Sequence, residues 1–144
     1  MAAVAQRARP GLRAPVVWGV VVGVAQAATP LALWWLDAST VYALGLVVIA
    51  SVYIGFAVAD GRSRVLAVET GVASVFVVAA AVGVTGSAWL LVAGLAGHGL
   101  KDLWQHRTGF VASTRWWPPF CATVDVVAAT LIAVTIVADV RVGW

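Results

Sequence analysis

The sequence predicts an all-α membrane protein, a bundle of about five transmembrane helices, and three observations lead to this prediction. The 144 residues are 62% hydrophobic and only 10% charged, and the mean hydropathy is +0.99. Soluble domains carry roughly 25% charged residues. Apolar stretches of roughly the 20 residues needed to cross a bilayer recur along the whole chain, separated by short polar turns.

These stretches form a single helical membrane domain over residues 1–144. After a basic leader at residues 1–15, the predicted spans are 16–36, 41–59, 65–84, 88–105 and 118–138. Short connections make successive helices antiparallel neighbours. The first span has an alternative interpretation, because the leader followed by Ala25-Gln-Ala27 also fits a cleaved signal peptide. Pro30 and the apolar run to Leu36 favour a retained, kinked helix.

Lys and Arg are distributed unevenly among the connections, and this bias predicts the orientation. They cluster before the first span, between the second and third, and around the connection from the fourth to the fifth. These residues are Arg7, Arg9, Arg13, Arg62, Arg64, Lys101, Arg107 and Arg115. Because positively charged short loops stay on the cytoplasmic side, we expect a cytoplasmic N-terminus and an external C-terminus. The expected location is the bacterial inner membrane.

Composition also limits the partners and the chemistry. The net charge of +3 comes from loop residues and not from one basic face, so nucleic acid is not an expected partner. Cys121 is the only cysteine, which excludes an internal disulfide and the CxxC pairs of redox or zinc modules. The expected partners are the lipid bilayer and a hydrophobic small molecule, and a homo-oligomer is compatible with the sequence.

The fourth span carries the most informative segment, which holds both histidines of the chain and a carboxylate. Counted inward from Arg107 at 1.5 Å per residue, Asp102 lies about 8 Å and His98 about 13 Å into the membrane. Glu69 and Asp125 lie at similar depths on the third and fifth spans. Ionisable groups inside a membrane cost about 2.5 kcal/mol or more and usually mark function. We therefore expect these side chains to face one another in one pocket open to the cytoplasmic leaflet.

Such an arrangement predicts acid–base catalysis. His98 and Asp102 are one helical turn apart, so Asp102 can orient the imidazole of His98 as a general base. Asp125 and Glu69 are expected to act as acid or as electrostatic stabilisers. The expected substrate is lipid-like or isoprenoid, and hydrolysis, isomerisation and cyclisation all fit. The expected substrate-binding residues are Asp60, Trp104, His106, Trp117 and Phe120.

Several alternatives remain open at the level of sequence. A divalent metal is one of them, and its candidate ligands are His98, Asp102, Asp125 and Glu69. His98 and His106 lie about 12 Å apart and cannot share one ion. The same groups fit a proton relay or small transporter, or the polar face of a structural subunit in a membrane complex. They also fit a structural tie between the fourth and fifth helices, with Lys101 neutralising Asp125.

The pattern His98-Gly-x-x-Asp102-x-x-x-His106-Arg, followed by Trp-Pro-Pro-Phe-Cys-x-x-x-Asp125, resembles that of small, uncharacterised multi-pass membrane proteins of high-GC bacteria. The resemblance covers roughly the last third of the chain. The resemblance implies that these proteins share a site, but it does not indicate which reaction the site performs. Similar sequences carry an aromatic residue at the position of Lys101 and a second histidine at that of Gln105. This chain lacks both residues, so the resemblance gives less support for a metal site here.

Overall fold

The computed structural model describes residues 11–112 and 115–140, and these residues form five α-helices and no β-strand. The helices are α1 (Arg13–Ala32), α2 (Ala38–Asp60), α3 (Ser63–Thr85), α4 (Trp89–Thr108) and α5 (Trp117–Val137). Within the described residues, four helices are long and apolar enough to cross a membrane, namely α1, α2, α3 and α5. The predicted five-helix, all-α architecture is therefore confirmed for these residues, whereas four of the five predicted spans meet the length and hydropathy needed to cross a membrane. Arg7 and Arg9, on which part of the predicted orientation depends, lie outside the described residues.

α4 is less apolar than the other helices because its inward face carries polar side chains. The buried residues of α4 are Leu91, Gly94, Leu95, His98, Gly99, Asp102 and Gln105. Their spacing of three and four residues defines one face of an α-helix. The outward face presents Leu100 and Leu103, which are 67% and 42% exposed. α4 thus directs polar groups toward the interior of the bundle, where it contacts α2, α3 and α5.

Two glycines bring α1 into close contact with α5. Gly19 and Gly23 lie one turn apart, and both are buried. A Cβ atom added at Gly19 would lie 2.8 Å from the carbonyl oxygen of Phe120, and one at Gly23 would lie 2.9 Å from that of Val124. Small residues allow the backbones of membrane helices to approach in this way.

Side-chain bonds connect the α2–α3 turn to the connection between α4 and α5. Arg62 donates to both carboxylate oxygens of Asp60, at 2.5 and 2.7 Å, and to the carbonyl oxygen of Phe110 at 2.7 Å. The backbone N–H of Ala112 donates to Asp60 at 2.8 Å. Gly61, with a φ of +76°, provides the left-handed residue that ends α2. We call this end of the bundle the Arg62 end.

α1 ends earlier than the sequence predicted. The predicted span continues to Leu36, whereas the helix ends at Ala32. Pro30 lies in its last turn and cannot donate a backbone hydrogen bond to the carbonyl oxygen of Gln26, which weakens this turn. The N–H of Leu33 bonds to the carbonyl oxygen of Thr29, and the chain then turns toward α2. Ala25-Gln-Ala27, the site of the alternative cleavage prediction, lies inside α1.

Candidate functional site

His98, Asp102 and Asp125 meet in the interior of the bundle. The Nδ1 atom of His98, near the middle of α4, lies 2.8 Å from Oδ2 of Asp125 and 3.4 Å from Oδ2 of Asp102. All three side chains are at most 1% exposed. Gly99 permits the approach of α5, because a Cβ atom there would lie 3.3 Å from Cβ of Asp125. We call these three residues the His–Asp–Asp group.

The main partner of His98 differs from the one expected. The one-turn spacing predicted that Asp102 orients the imidazole, but the hydrogen bond is made with Asp125. Asp102 is near His98 because of helix geometry alone, whereas Asp125 reaches the ring from the facing helix. Spacing along one helix gives no information on a partner supplied by another helix.

Several polar atoms of this group have no hydrogen-bond partner among the described residues. They are Nε2 of His98, both carboxylate oxygens of Asp102 and Oδ1 of Asp125. Buried polar atoms are nearly always paired, and an unpaired one costs about 1–3 kcal/mol. Such a group is more typical of a site that binds a ligand or exchanges protons than of a contact that holds two helices together.

Aromatic rings enclose the imidazole of His98. The ring of Phe76, on α3, meets it edge-on with 5.0 Å between centroids. Tyr53, on α2, lies 6.1 Å from it between centroids. The Tyr53 hydroxyl is directed at Asp102 and interacts with it, although the contact does not meet hydrogen-bond geometry within the described part of the chain. Three other helices, α2, α3 and α5, therefore contribute to the surroundings of the polar face of α4.

Glu69 belongs to a second polar cluster on the Tyr53 side of the bundle. Its Oε2 atom lies 2.5 Å from Nζ of Lys101, and its Oε1 atom accepts a hydrogen bond from Gln105 at 2.6 Å. Lys101 Nζ also lies 3.3 Å above the centroid of the Tyr53 ring. We call Glu69, Lys101 and Gln105 the Glu69 cluster. The expected neutralisation of Asp125 by Lys101 is not observed, since the ion pair of Lys101 is made with Glu69.

The Glu69 cluster extends toward the Arg62 end. Oε1 of Gln105 accepts a hydrogen bond from the backbone N–H of Val111, at 3.2 Å, in the connection between α4 and α5. The next residue of that connection, Ala112, bonds to Asp60. Polar groups thus occupy the bundle from its interior to the Arg62 end. Toward the other end, the buried residues around Leu91 and Leu95 form an apolar core.

An apolar cavity of about 410 Å³ lies between α1, α2 and α5. Trp117 and Phe120, both expected to bind substrate, line it together with Cys121. Cys121 precedes Asp125 by one turn of α5 and interacts electrostatically with Asp102 and Asp125. Cys121 therefore lines the cavity and lies near the His–Asp–Asp group, none of whose residues lines the cavity itself.

The three other expected substrate-binding residues lie at the Arg62 end. Asp60 is bound by Arg62, and this hydrogen bond raises the pKa of the Arg62 guanidinium above its usual value. Trp104 is 46% exposed and packs against Phe110 with 5.4 Å between ring centroids. His106 is exposed and lines a surface cavity of about 230 Å³. The structure does not bring these residues into contact with the His–Asp–Asp group.

The His–Asp–Asp group can hold a metal ion. Each of its residues offers one ligand atom, and these atoms all lie within 4.8 Å of one another. A mixture of imidazole and carboxylate ligands suits divalent transition metals. Glu69, the fourth ligand considered from the sequence, is engaged in its own cluster and lies outside this set of atoms.

Sequence reasoning assigned no role to Tyr53 or Phe76, because neither is ionisable near neutral pH and both lie on apolar helices. A signal for Tyr53 was nevertheless present. The only two tyrosines of the chain, Tyr42 and Tyr53, are eleven residues apart on α2, close to three helical turns, and both are buried. This spacing places their hydroxyls on the inward face of α2.

Comparisons with known proteins give no match. No protein-family model, no curated protein and no solved structure matches this chain. The chemistry of the site is therefore inferred from the chain's own residues.

Proposed function

We propose that this chain is a membrane-embedded enzyme that uses the His–Asp–Asp group for proton transfer on a lipid-like or isoprenoid substrate. Hydrolysis, isomerisation and cyclisation all require a group that takes up and releases protons at a position shielded from water. In this proposal the protein resides in the bacterial inner membrane, with its N-terminus in the cytoplasm. The Arg62 end then faces the cytoplasm, in agreement with its positive charges.

One observation carries the proposal. A histidine and two aspartates are fully buried in contact with one another, while four of their polar atoms lack a hydrogen-bond partner within the described residues. This arrangement is costly for stability, and groups arranged at such a cost concentrate in functional sites. The group itself can exchange protons, so the proposal does not depend on a bound metal.

The apolar cavity supports a hydrophobic substrate. Its lining is mostly aliphatic and aromatic, and it includes Cys121, which precedes Asp125 by one turn of α5. Ligand sites typically combine such apolar walls with a few convergent polar groups. A hydrocarbon chain in the cavity would place its reacting end at Cys121, near the His–Asp–Asp group.

A proton relay is the second candidate, and the polar groups between the interior and the Arg62 end favour it. The Glu69 cluster and the His–Asp–Asp group together resemble the inner half of a proton path. A relay must continue across the bilayer. In the described residues the region beyond His98 is the apolar core around Leu91, which favours an enzyme over a relay.

The test compares wild type with Asp125→Asn. We expect the wild-type protein to change the lipid profile of the cells that express it, or of extracted lipids, as resolved by mass spectrometry. Asp125→Asn should lower this conversion by about 10²- to 10⁴-fold, the usual contribution of a positioned proton-transfer group. The control is Asp139→Asn, the same chemical change at an exposed residue just beyond α5.

Two results would contradict the proposal. One is a lipid profile that is identical in cells expressing wild type and Asp125→Asn at equal levels. The other is proton flux into proteoliposomes that requires His98 and occurs without any lipid conversion, which would assign the group to a relay.

A further inference from the structure

We propose that His98, Asp102 and Asp125 bind one divalent transition-metal ion. Only the role of the ion rests on the proposed function, since its binding is measured without an activity. The ligand atoms are Nδ1 of His98 and one carboxylate oxygen from each aspartate. The ion would be held between α4 and α5.

Distances within the group are close to those between ligands of a single ion. Zinc binds imidazole nitrogen and carboxylate oxygen at about 2.0–2.2 Å, so neighbouring ligand atoms around one ion lie about 3–3.6 Å apart. Nδ1 of His98 lies 3.4 Å from Oδ2 of Asp102, which is within this range. It lies 2.8 Å from Oδ2 of Asp125, just below the range, where the two atoms form a hydrogen bond that a bound ion would replace. The longer distance is poor for a hydrogen bond but ordinary between two ligands.

Unpaired lone pairs point to the same conclusion. Asp102 is 0% exposed, and neither of its carboxylate oxygens has a hydrogen-bond partner among the residues described. Its Oδ2 atom nevertheless faces His98. The nearby donors, the imidazole of His98 at 3.4 Å and the Tyr53 hydroxyl, do not meet hydrogen-bond geometry with it. The buried carboxylate therefore requires a cation or a proton to offset its desolvation. Oδ1 of Asp125 lacks a partner as well.

Charge balance favours a dication over a side-chain cation. Lys101, the only lysine of the chain, is paired with Glu69 at 2.5 Å. Two ionised aspartates and a neutral imidazole carry a charge of −2, which one divalent ion neutralises. The competing solution is protonation of the group, and the experiment below separates the two.

The donor set narrows the identity of the ion. One imidazole and two carboxylates suit Zn²⁺, Mn²⁺ or Fe²⁺, whereas Mg²⁺ and Ca²⁺ prefer oxygen ligands alone and Cu⁺ prefers sulfur. Three protein ligands leave a position for water, as in catalytic zinc sites. A water bound there has its pKa lowered to about 7 in favourable cases, which would supply the proton-transfer group of the proposed enzyme.

The experiment measures metal content. Purified wild-type protein is stripped with chelator, dialysed separately against Zn²⁺ and Mn²⁺, passed through a desalting column and analysed by mass spectrometry of the metal. We expect about one ion per chain for at least one metal. His98→Ala, Asp102→Asn and Asp125→Asn should each lower the affinity at least 100-fold.

The matched control is the double variant Glu69→Gln/Lys101→Met. It removes a buried carboxylate and its cation together, adjacent to the site but outside the ligand set, and it should retain the ion. Size-exclusion chromatography in detergent verifies that each variant is folded. The wild-type measurement requires no variant to fold.

The inference would be overturned if the wild type retained neither metal. It would also be overturned if Asp102→Asn and Asp125→Asn each retained as much metal as the wild type. These outcomes are distinguishable from failure of the proposed function. If a metal-free protein converts lipid and the conversion requires Asp125, the proposed enzyme activity stands and the proposed metal site is wrong. If the protein binds the ion but converts no lipid, the proposed metal site stands and the proposed enzyme activity is wrong.

Discussion

Replacement of Lys101 by Met is expected to destabilise the protein by about 3–5 kcal/mol, the usual cost of removing one partner from a buried ion pair. Glu69 is 1% exposed and would lose its ammonium partner at 2.5 Å, keeping only the amide of Gln105. The contact of the ammonium with the Tyr53 ring would be lost too. The measurement is the free energy of unfolding in mixed micelles.

The double variant Glu69→Gln/Lys101→Met gives this prediction its control. Removing both charges eliminates the unpaired carboxylate, and a glutamine at position 69 can still bond to Gln105. Replacing both members of a buried ion pair with uncharged residues often changes the free energy of unfolding only slightly. We therefore expect the double variant to recover most of the loss. Equal destabilisation of the single and double variants would show that Lys101 acts by packing and not by charge.

Replacement of Gly23 by Leu is expected to displace α1 from α5 and to cost about 1–3 kcal/mol, the range for overpacked sites. A Cβ atom there would lie 2.8 Å from Cβ of Val127 and 2.9 Å from the carbonyl oxygen of Val124. A backbone atom cannot move aside as a flexible side chain can. The unfolding measurement used for Lys101 detects this loss.

Gly71→Leu provides the comparison, because a Cβ atom at Gly71 meets no atom within 4 Å. This variant should unfold with a free energy within about 0.5 kcal/mol of the wild type. Gly23→Leu should also retain the metal, since α1 contributes no ligand to the His–Asp–Asp group. Equal stability of Gly23→Leu and Gly71→Leu would contradict the close approach of α1 and α5 at Gly23.

Much of the fold could be predicted because it follows from local sequence. Five apolar stretches separated by short polar turns predicted the five helices that the described residues form. The end of α1 was mispredicted because Pro30 was taken as a kink. Hydropathy alone does not distinguish a helix that bends from one that stops, and Trp34 and Trp35 are apolar although they lie in a turn.

The site could be predicted in part. Similar depth and the cost of ionisable groups in lipid correctly placed His98, Asp102 and Asp125 together. Depth does not define the rotation of one helix relative to another, and for that reason Glu69 was expected to join them. In the structure Lys101 and Gln105 of α4 bind Glu69, a pairing that spans 32 and 36 residues of sequence.

The most direct test of the central claim is the stability of Asp102→Asn. The central claim is that the His–Asp–Asp group serves a chemical function and not stability. Its buried polar side chains should therefore lower the free energy of unfolding. In chelator, with no ion bound, Asp102→Asn removes a buried carboxylate that lacks hydrogen bonds and should be as stable as the wild type or more stable, as is common for substitutions in functional sites. A loss of about 3 kcal/mol or more, the cost of breaking a buried structural pair, would contradict it.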